Sequence, residues 1–212
     1  NINFSFKNKE IFINSSINIR KNKIYGIVGE SGSGKTTLLN ILIGLYDAKS
    51  NILYNDEKIN HIKEIQNHMC YVPQDVYLYD DTILNNIILG DDINKDIIDK
   101  IEVILKKLKL YDTIKYLPRG INTYVGENGA KLSGGQIQRI GLARAMYHNR
   151  EIIFLDEFTS SLDDDTERKI LSFLRDLKTD LTIVIVTHRK EPLKICDEIY
   201  EIVNKGIKKL ED

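Results

Sequence analysis

Residues 24–36 read Ile24-Tyr25-Gly26-Ile27-Val28-Gly29-Glu30-Ser31-Gly32-Ser33-Gly34-Lys35-Thr36. The first five form a compact apolar run, the pattern of a parallel strand buried on both faces. From Gly29 to Thr36 the chain matches G-x-x-x-x-G-K-[S/T] in full. Residues Thr36 to Gly44 then read as the helix that this loop opens. Strand, glycine loop and helix in that order make a phosphate cradle. Backbone N–H groups of the loop converge on phosphate oxygens, and the helix dipole adds to the attraction. Small residues such as Gly32 and Gly34 let that backbone come close. Lys35 brings positive charge to the outer phosphates, and Thr36 brings a hydroxyl to Mg²⁺. Glu30, Ser31, Ser33 and Thr37 complete the candidate nucleotide-binding set.

A second apolar strand, Ile152-Ile153-Phe154-Leu155, ends in Asp156-Glu157. Such a strand places Asp156 to hold the Mg²⁺ shell. Glu157 is placed to polarise an attacking water as a general base. Two acids after a strand also describe an ordinary solvated turn; the phosphate loop upstream selects the chemical reading.

Working outward, apolar runs and motifs alternate as in an α/β protein. Asn3-Phe4-Ser5-Phe6 and Ile17-Asn18-Ile19 alternate like half-exposed antiparallel strands, and Cys70-Tyr71-Val72-Pro73 reads as the end of another strand. From Thr82 to Pro118 the pattern is helical, with Ile97, Ile98, Ile101, Ile104, Leu105 and Leu108 at helical spacing. Lys106, Lys107 and Lys109 belong to its solvated face. Gln136 to Tyr147 reads as a further helix. Strands at 152–155, 182–186 and 199–203 close the chain. Boundaries near Gln74 and Ala145 divide it into an α/β core with antiparallel strands (1–74 and 146–212) and a helical insertion (75–145).

The bulk properties set limits. A length of 212 residues suits one large domain with a buried core. A net charge of −1 gives no whole-chain attraction to nucleic acid, and no nucleic-acid partner is expected. Cys70 and Cys196 lie far apart, without metal-binding spacing, which suits reduced thiols in a cytosolic compartment. No apolar stretch is long enough to span a bilayer and no signal peptide is visible. The chain opens at Asn1, without an initiator methionine, so it reads as a piece of something longer or as a trimmed chain.

Between the two phosphate-site motifs lies Leu132-Ser133-Gly134-Gly135-Gln136. With that run in place, the chain resembles the nucleotide-binding domain of an ATP-binding cassette (ABC) ATPase over essentially its whole length. The resemblance implies a P-loop NTPase (RecA-like) core, an antiparallel β subdomain and an inserted α-helical subdomain. It also implies ATP and Mg²⁺ as cofactors. Phe6 falls where the family stacks an aromatic ring on adenine. Gly29–Thr36 is similar to the Walker A loop, and Gln74 to the Q-loop glutamine, which implies a place for Gln74 at both nucleotide and Mg²⁺. Leu132–Gln136 resembles the signature, and Ile152–Glu157 the Walker B strand with its catalytic glutamate. Ser160-Ser161-Leu162-Asp163 resembles the D-loop, and His188 the switch histidine. Lys35, Gln74, Glu157 and His188 form the implied catalytic set.

The resemblance further implies a head-to-tail dimer with a second nucleotide-binding domain, a homodimer in the simplest case. Ser133, Gly134, Gly135 and Gln136 of one copy would close on the γ-phosphate held by the other, with Asp163 counted among the nucleotide contacts. Two stretches resemble exporters in particular: Tyr71–Tyr79 with Thr82–Ile87, and Leu117–Gly120 with Thr123–Glu127. In that family they face the transmembrane domain. The implied setting is the cytoplasmic face of a membrane, where hydrolysis powers transport of an unspecified substrate through a fused or associated transmembrane domain. Two alternatives stay open, a soluble non-transport ABC ATPase and a subunit of another ABC transporter type. Ribosome-associated relatives carry two cassettes, and chromosome-organising relatives insert a long coiled coil; here there is one cassette and a short stretch from Gln74 to Ser133. Lys35, Ser133, Glu157 and His188 together argue against a degenerate, binding-only cassette. Departures from the pattern are Phe6 for a tyrosine, Phe158 for a small residue, and Asn22 where a glycine is common. Asparagine tolerates positive φ there.

Overall fold

The computed structural model describes residues 2–7 and 9–210. In chain order the first elements are β1 (Ile2–Phe6), β2 (Lys9–Ser15), β3 (Ile24–Gly29) and α1 (Lys35–Leu42). Next come β4 (Lys49–Ser50), β5 (Ile52–Tyr54), β6 (Glu57–Ile59) and β7 (Met69–Val72). A helical stretch follows: α2 (Ile83–Ile88), α3 (Lys95–Lys107), α4 (Tyr111–Lys115) and α5 (Gly134–His148). The chain closes with β8 (Ile152–Asp156), α6 (Asp164–Leu177), β9 (Thr182–Val186), α7 (Lys190–Leu193), β10 (Glu198–Val203) and β11 (Gly206–Lys209).

These elements fall into two compact units. One comprises the described residues through Tyr71, then Glu151–Glu157, and those from Leu177 on; the other comprises Val72–Arg150 and Phe158–Asp176. The sequence reading places 158–176 with the α/β core, whereas their contacts group them with the helices. The physical reason is side-chain bonding. Gln138 of α5 donates to Ser160 Oγ at 2.8 Å and accepts from Ser161 N at 3.1 Å, which ties the turn after Phe158 to α5.

The first unit is a P-loop NTPase core around a sheet of order β11-β10-β3-β9-β8-β7. β3 runs parallel to β9 and β10, and β8 runs parallel to β9. All five residues of β9 are buried, as a strand covered on both faces requires. Tyr25 and Ile27 of β3, Leu38 and Leu39 of α1, Phe154 of β8 and Val184 of β9 share one apolar cluster. That packing holds β3, α1 and β8 in fixed relation and so positions the loop and the acids that follow. Asn204 and Lys205, with φ of 50° and 61°, turn β10 into β11, an antiparallel edge strand absent from the sequence reading.

The smaller sheet has the order β2-β1-β4, so β1 pairs antiparallel with Lys9–Ser15, a strand absent from the sequence reading. Residues 17–19 form no strand, and side chains bond the backbone of Asn18 and of Arg20 just beyond them. Tyr200 Oη donates to Asn18 O at 3.0 Å, and Arg20 N donates to Tyr25 Oη at 2.6 Å. Asn22 adopts φ 60°, as expected of that turn, and its side chain donates to Thr179 O at 2.8 Å.

The second unit is helical. Helix α5 buries nine residues, including Gln138, Ile140, Leu142, Ala143 and Met146, and so is the central helix of this unit. Helix α3 buries Ile101, Ile104 and Leu105 and leaves Lys106, Lys107 and Lys109 exposed, as its periodicity predicts. Phe158, the unusual neighbour of Glu157, is itself buried.

Candidate functional site

In the first unit the loop between β3 and α1 is held open at the N-terminus of α1. Gly34 caps α1 with φ 107°, and a Cβ there would stand 2.9 Å from Ile11 Cγ2, so only glycine fits both the backbone and the space. No side chain caps α1 and no acid lies in its first turn. Its leading N–H groups therefore have no side-chain acceptor, which is the arrangement an anion completes. Ser33 Oγ is buried without a hydrogen-bond partner, a second polar group that a phosphate could satisfy. Lys35 Nζ donates to Gly29 O at 2.9 Å and Glu30 O at 2.8 Å, which places its charge across the loop mouth. Glu30, Ser31, Gly32 and Thr36 are exposed, and Thr37 is half-buried.

The acids follow β8 in the same unit. Asp156 is 3% exposed, and burial raises its carboxyl above the ordinary aspartate range, opposed by hydrogen bonds from Thr36 and Tyr71 and by the charge of Lys35. A buried carboxylate beside a threonine hydroxyl is a hard-oxygen pair of the kind Mg²⁺ takes, and a cation would offset the burial cost. Among the described residues no three His, Cys, Asp or Glu side chains form a metal cage. The chemistry thus fits Mg²⁺ held by few protein ligands and completed by phosphate oxygens. Glu157 adopts φ 45°, strained for a non-glycine residue, and its N–H donates to Val186 O at 2.9 Å. Its Oε1 lies 3.2 Å from His188 Nδ1, so the structure brings Glu157 and His188 together at the ends of neighbouring strands.

Phe6 ends β1 at 44% exposed. Its ring meets Phe4 edge-on at 5.1 Å and Tyr46 at 5.2 Å between centroids. That support holds the ring while leaving part of it free to stack on a planar ligand.

Gln74 and the LSGGQ run lie in the second unit. Gln74 is exposed on a bend two residues beyond β7. Ser133 is the N-cap of α5 in a reciprocal box: Gln136 N donates to Ser133 Oγ at 3.3 Å, and Ser133 N donates to Gln136 Oε1 at 2.8 Å. Ser133 and Gly134 are exposed and Gly135 is buried. A Cβ on Gly135 would lie 2.8 Å from Ser161 O, so this glycine is required by packing within its own unit. Asp163 Oδ1 accepts from Thr166 N at 3.0 Å and caps α6; that bond lowers its pKa. An open groove of about 450 Å³ lies against α2, lined by Tyr79, Asp81, Asn85, Leu89 and Asp91 among others.

Residues 12–160 match the family model for the ABC transporter. The chain belongs to the ABC transporter family. A probable ABC transporter ATP-binding/permease protein of Haemophilus influenzae is 40% identical over 208 residues, covering 96% of this chain and 37% of that protein. An ATP-dependent lipid A-core flippase of Colwellia psychrerythraea is 41% identical over 212 residues, covering 96% of this chain and 36% of the flippase. Among solved structures, a bacterial Atm1-family ABC exporter with ATP bound has a TM-score of 0.90 at 33% identity, over 98% of this chain and 37% of that one. The chain thus spans little more than a third of the length of each.

Three residues of this ABC domain support the site through contacts that no motif in the sequence points to. Tyr71 Oη donates to Asp156 Oδ2 at 3.4 Å, and its phenol is pushed up to about 12, first by burial and then by the Asp156 charge. Gln138 joins α5 to the turn before Asp163. Tyr46 stacks on Phe4 at 5.5 Å and completes the aromatic support of Phe6. Their partners lie far away in sequence, so no spacing rule could have found them.

Proposed function

We propose that this chain is the ATP-binding and ATP-hydrolysing domain of an ABC exporter. One observation carries the reading: Asp156, bonded to Thr36 of the phosphate loop, is followed by Glu157, which meets His188. The loop N–H groups and Lys35 bind the phosphates, Thr37 adds a hydroxyl beside them, and Phe6 stacks on adenine. Thr36 and Asp156 would hold Mg²⁺, which when bound neutralises charge on the phosphates. Glu157 orients a water toward the γ-phosphate and takes its proton. His188 holds Glu157 in place and reaches toward the same phosphate.

The exposed Ser133 and Gly134 supply a second cradle for that phosphate from a partner copy. In a head-to-tail homodimer, Ser133, Gly134, Gly135 and Gln136 of one copy close over the nucleotide of the other, with Asp163 beside them. ATP bound between two copies stabilises the closed dimer by mass action, and hydrolysis releases it. The groove against α2 receives the transmembrane domain, and the domain works at the cytoplasmic face of a membrane. One observation supports that reading: relatives are named as ATP-binding/permease proteins of which the chain spans about a third.

Comparing ATP turnover of the chain with that of Glu157→Gln tests the reading. The variant binds ATP as the parent does and loses turnover by about 10²-fold or more. A variant as fast as the parent refutes the role given to Glu157.

A further inference from the structure

The Asp156 carboxylate is almost fully buried, and two hydroxyl groups donate to it, those of Thr36 and Tyr71. Thr36 belongs to the loop that receives the nucleotide, and its hydroxyl can donate to the carboxylate while an oxygen lone pair ligates a cation. Tyr71 is the donor with no such second duty. It is half-buried on β7, the strand next to β8 in the sheet, so its hydroxyl is carried by a fixed element. The terminal torsion of an aspartate is broad and roughly two-fold, and one anchored hydrogen bond is enough to select a setting. A phenol is protonated at neutral pH and can only donate to a carboxylate.

We propose that Tyr71 is a positioning residue for the metal carboxylate: its hydroxyl holds Oδ2 of Asp156 and leaves the other oxygen for the cation that accompanies the nucleotide. The inference rests on the ATPase reading and deepens it. Tyr71 does not touch the reacting atoms; it acts through Asp156. Removing the hydroxyl leaves Oδ2 buried without its donor and frees the carboxylate to turn. Groups of this kind behind a metal ligand typically change metal affinity about 10- to 100-fold.

The experiment measures binding of a non-hydrolysable ATP analogue to the full chain by calorimetry, once in EDTA and once with Mg²⁺, for the parent and Tyr71→Phe. The EPR spectrum of Mn²⁺ bound with the analogue gives a second readout. In EDTA the two proteins bind alike. The factor by which Mg²⁺ tightens binding falls about 10-fold in Tyr71→Phe, and its Mn²⁺ spectrum broadens. In an Asp156→Asn background, Tyr71→Phe changes nothing further, because the carboxylate it positions is gone. An unchanged Mg²⁺ factor overturns the proposal. So does an equal loss of affinity in EDTA, which marks a packing role alone, or an effect that persists without Asp156. A parent that binds no analogue under either condition removes the nucleotide reading and this inference with it, so the two failures are told apart.

Discussion

Gly135→Ala adds one methyl group to the first turn of α5, where glycine is ordinarily the poorer choice. In a helix the exchange gains up to about 1 kcal/mol, since alanine loses less backbone entropy on folding. Here the added Cβ would stand 2.8 Å from Ser161 O and 3.3 Å from Leu162 Cδ2. The nearer atom is backbone, in a turn that Gln138 holds by two hydrogen bonds, so it cannot swing aside. Forced overpacking costs about 1–3 kcal/mol, and subtracting a helical gain of about 1 kcal/mol leaves a net loss of up to about 2 kcal/mol. Thermal unfolding without nucleotide then shifts down by up to roughly 8 °C. Gly134→Ala is the control, because its nearest neighbours are Cβ and Oγ of Ser161, at 3.2 and 3.3 Å. Ser161→Gly therefore rescues Gly134→Ala and leaves Gly135→Ala unstable. The reasoning fails if Gly135→Ala is as stable as the parent, or if Ser161→Gly restores it.

Three further outcomes are expected. Ser133→Arg binds ATP like the parent in equilibrium titrations yet loses most turnover, as the proposed action of Ser133 on a partner's nucleotide requires; full turnover would count against the split site. Gln138→Leu keeps the side-chain volume but strands Ser161 N–H, costing about 1–3 kcal/mol in urea unfolding; an unchanged midpoint would show that the turn finds another acceptor. Glu198 accepts from Lys23 at 2.6 Å and pairs with Lys209 at 3.0 Å, and these contacts, Lys23 foremost, lower its pKa. A lowered folded-state pKa gives stability that is full above the unfolded value near 4.3 and is lost as pH falls through the lower one. Thermal midpoints measured from pH 7 to 3 should thus fall more steeply for the parent than for Glu198→Gln, and equal slopes would refute the assignment.

The most legible parts of the fold were those whose signal is local. β3, its loop and α1 combine a buried apolar run, a glycine pattern and a helix start within a few residues, and β8 with Asp156-Glu157 is as self-contained. The partner of β1 was not legible. Residues 17–19 alternate better than Lys9–Ser15, yet the Tyr200 hydroxyl takes Asn18 O and the Tyr25 hydroxyl takes the N–H of Arg20 just beyond them. Only the folded chain brings those tyrosines near. Helix α6 carried readable signals in the Asp163 cap, the acids of its first turn and buried Ile170, Leu171 and Leu174. Its membership of the helical unit was not readable, because it depends on the turn that Gln138 holds. The Tyr71–Asp156 contact joins residues 85 apart, a distance no motif encodes. The glycines of the LSGGQ run teach a related lesson. Their small size reads as room for a phosphate, while the contact of Gly135 with Ser161 is a second and sufficient reason for it.

The central claim is that one active site needs two copies of this chain. The direct measurement is ATP turnover per copy across a wide range of chain concentrations, with sedimentation of Glu157→Gln in ATP and in ADP alongside. The account predicts turnover per copy that rises with concentration, and a Glu157→Gln dimer that forms with ATP and not with ADP. Constant turnover per copy down to the lowest concentration, from a chain that stays monomeric with ATP bound, would contradict it.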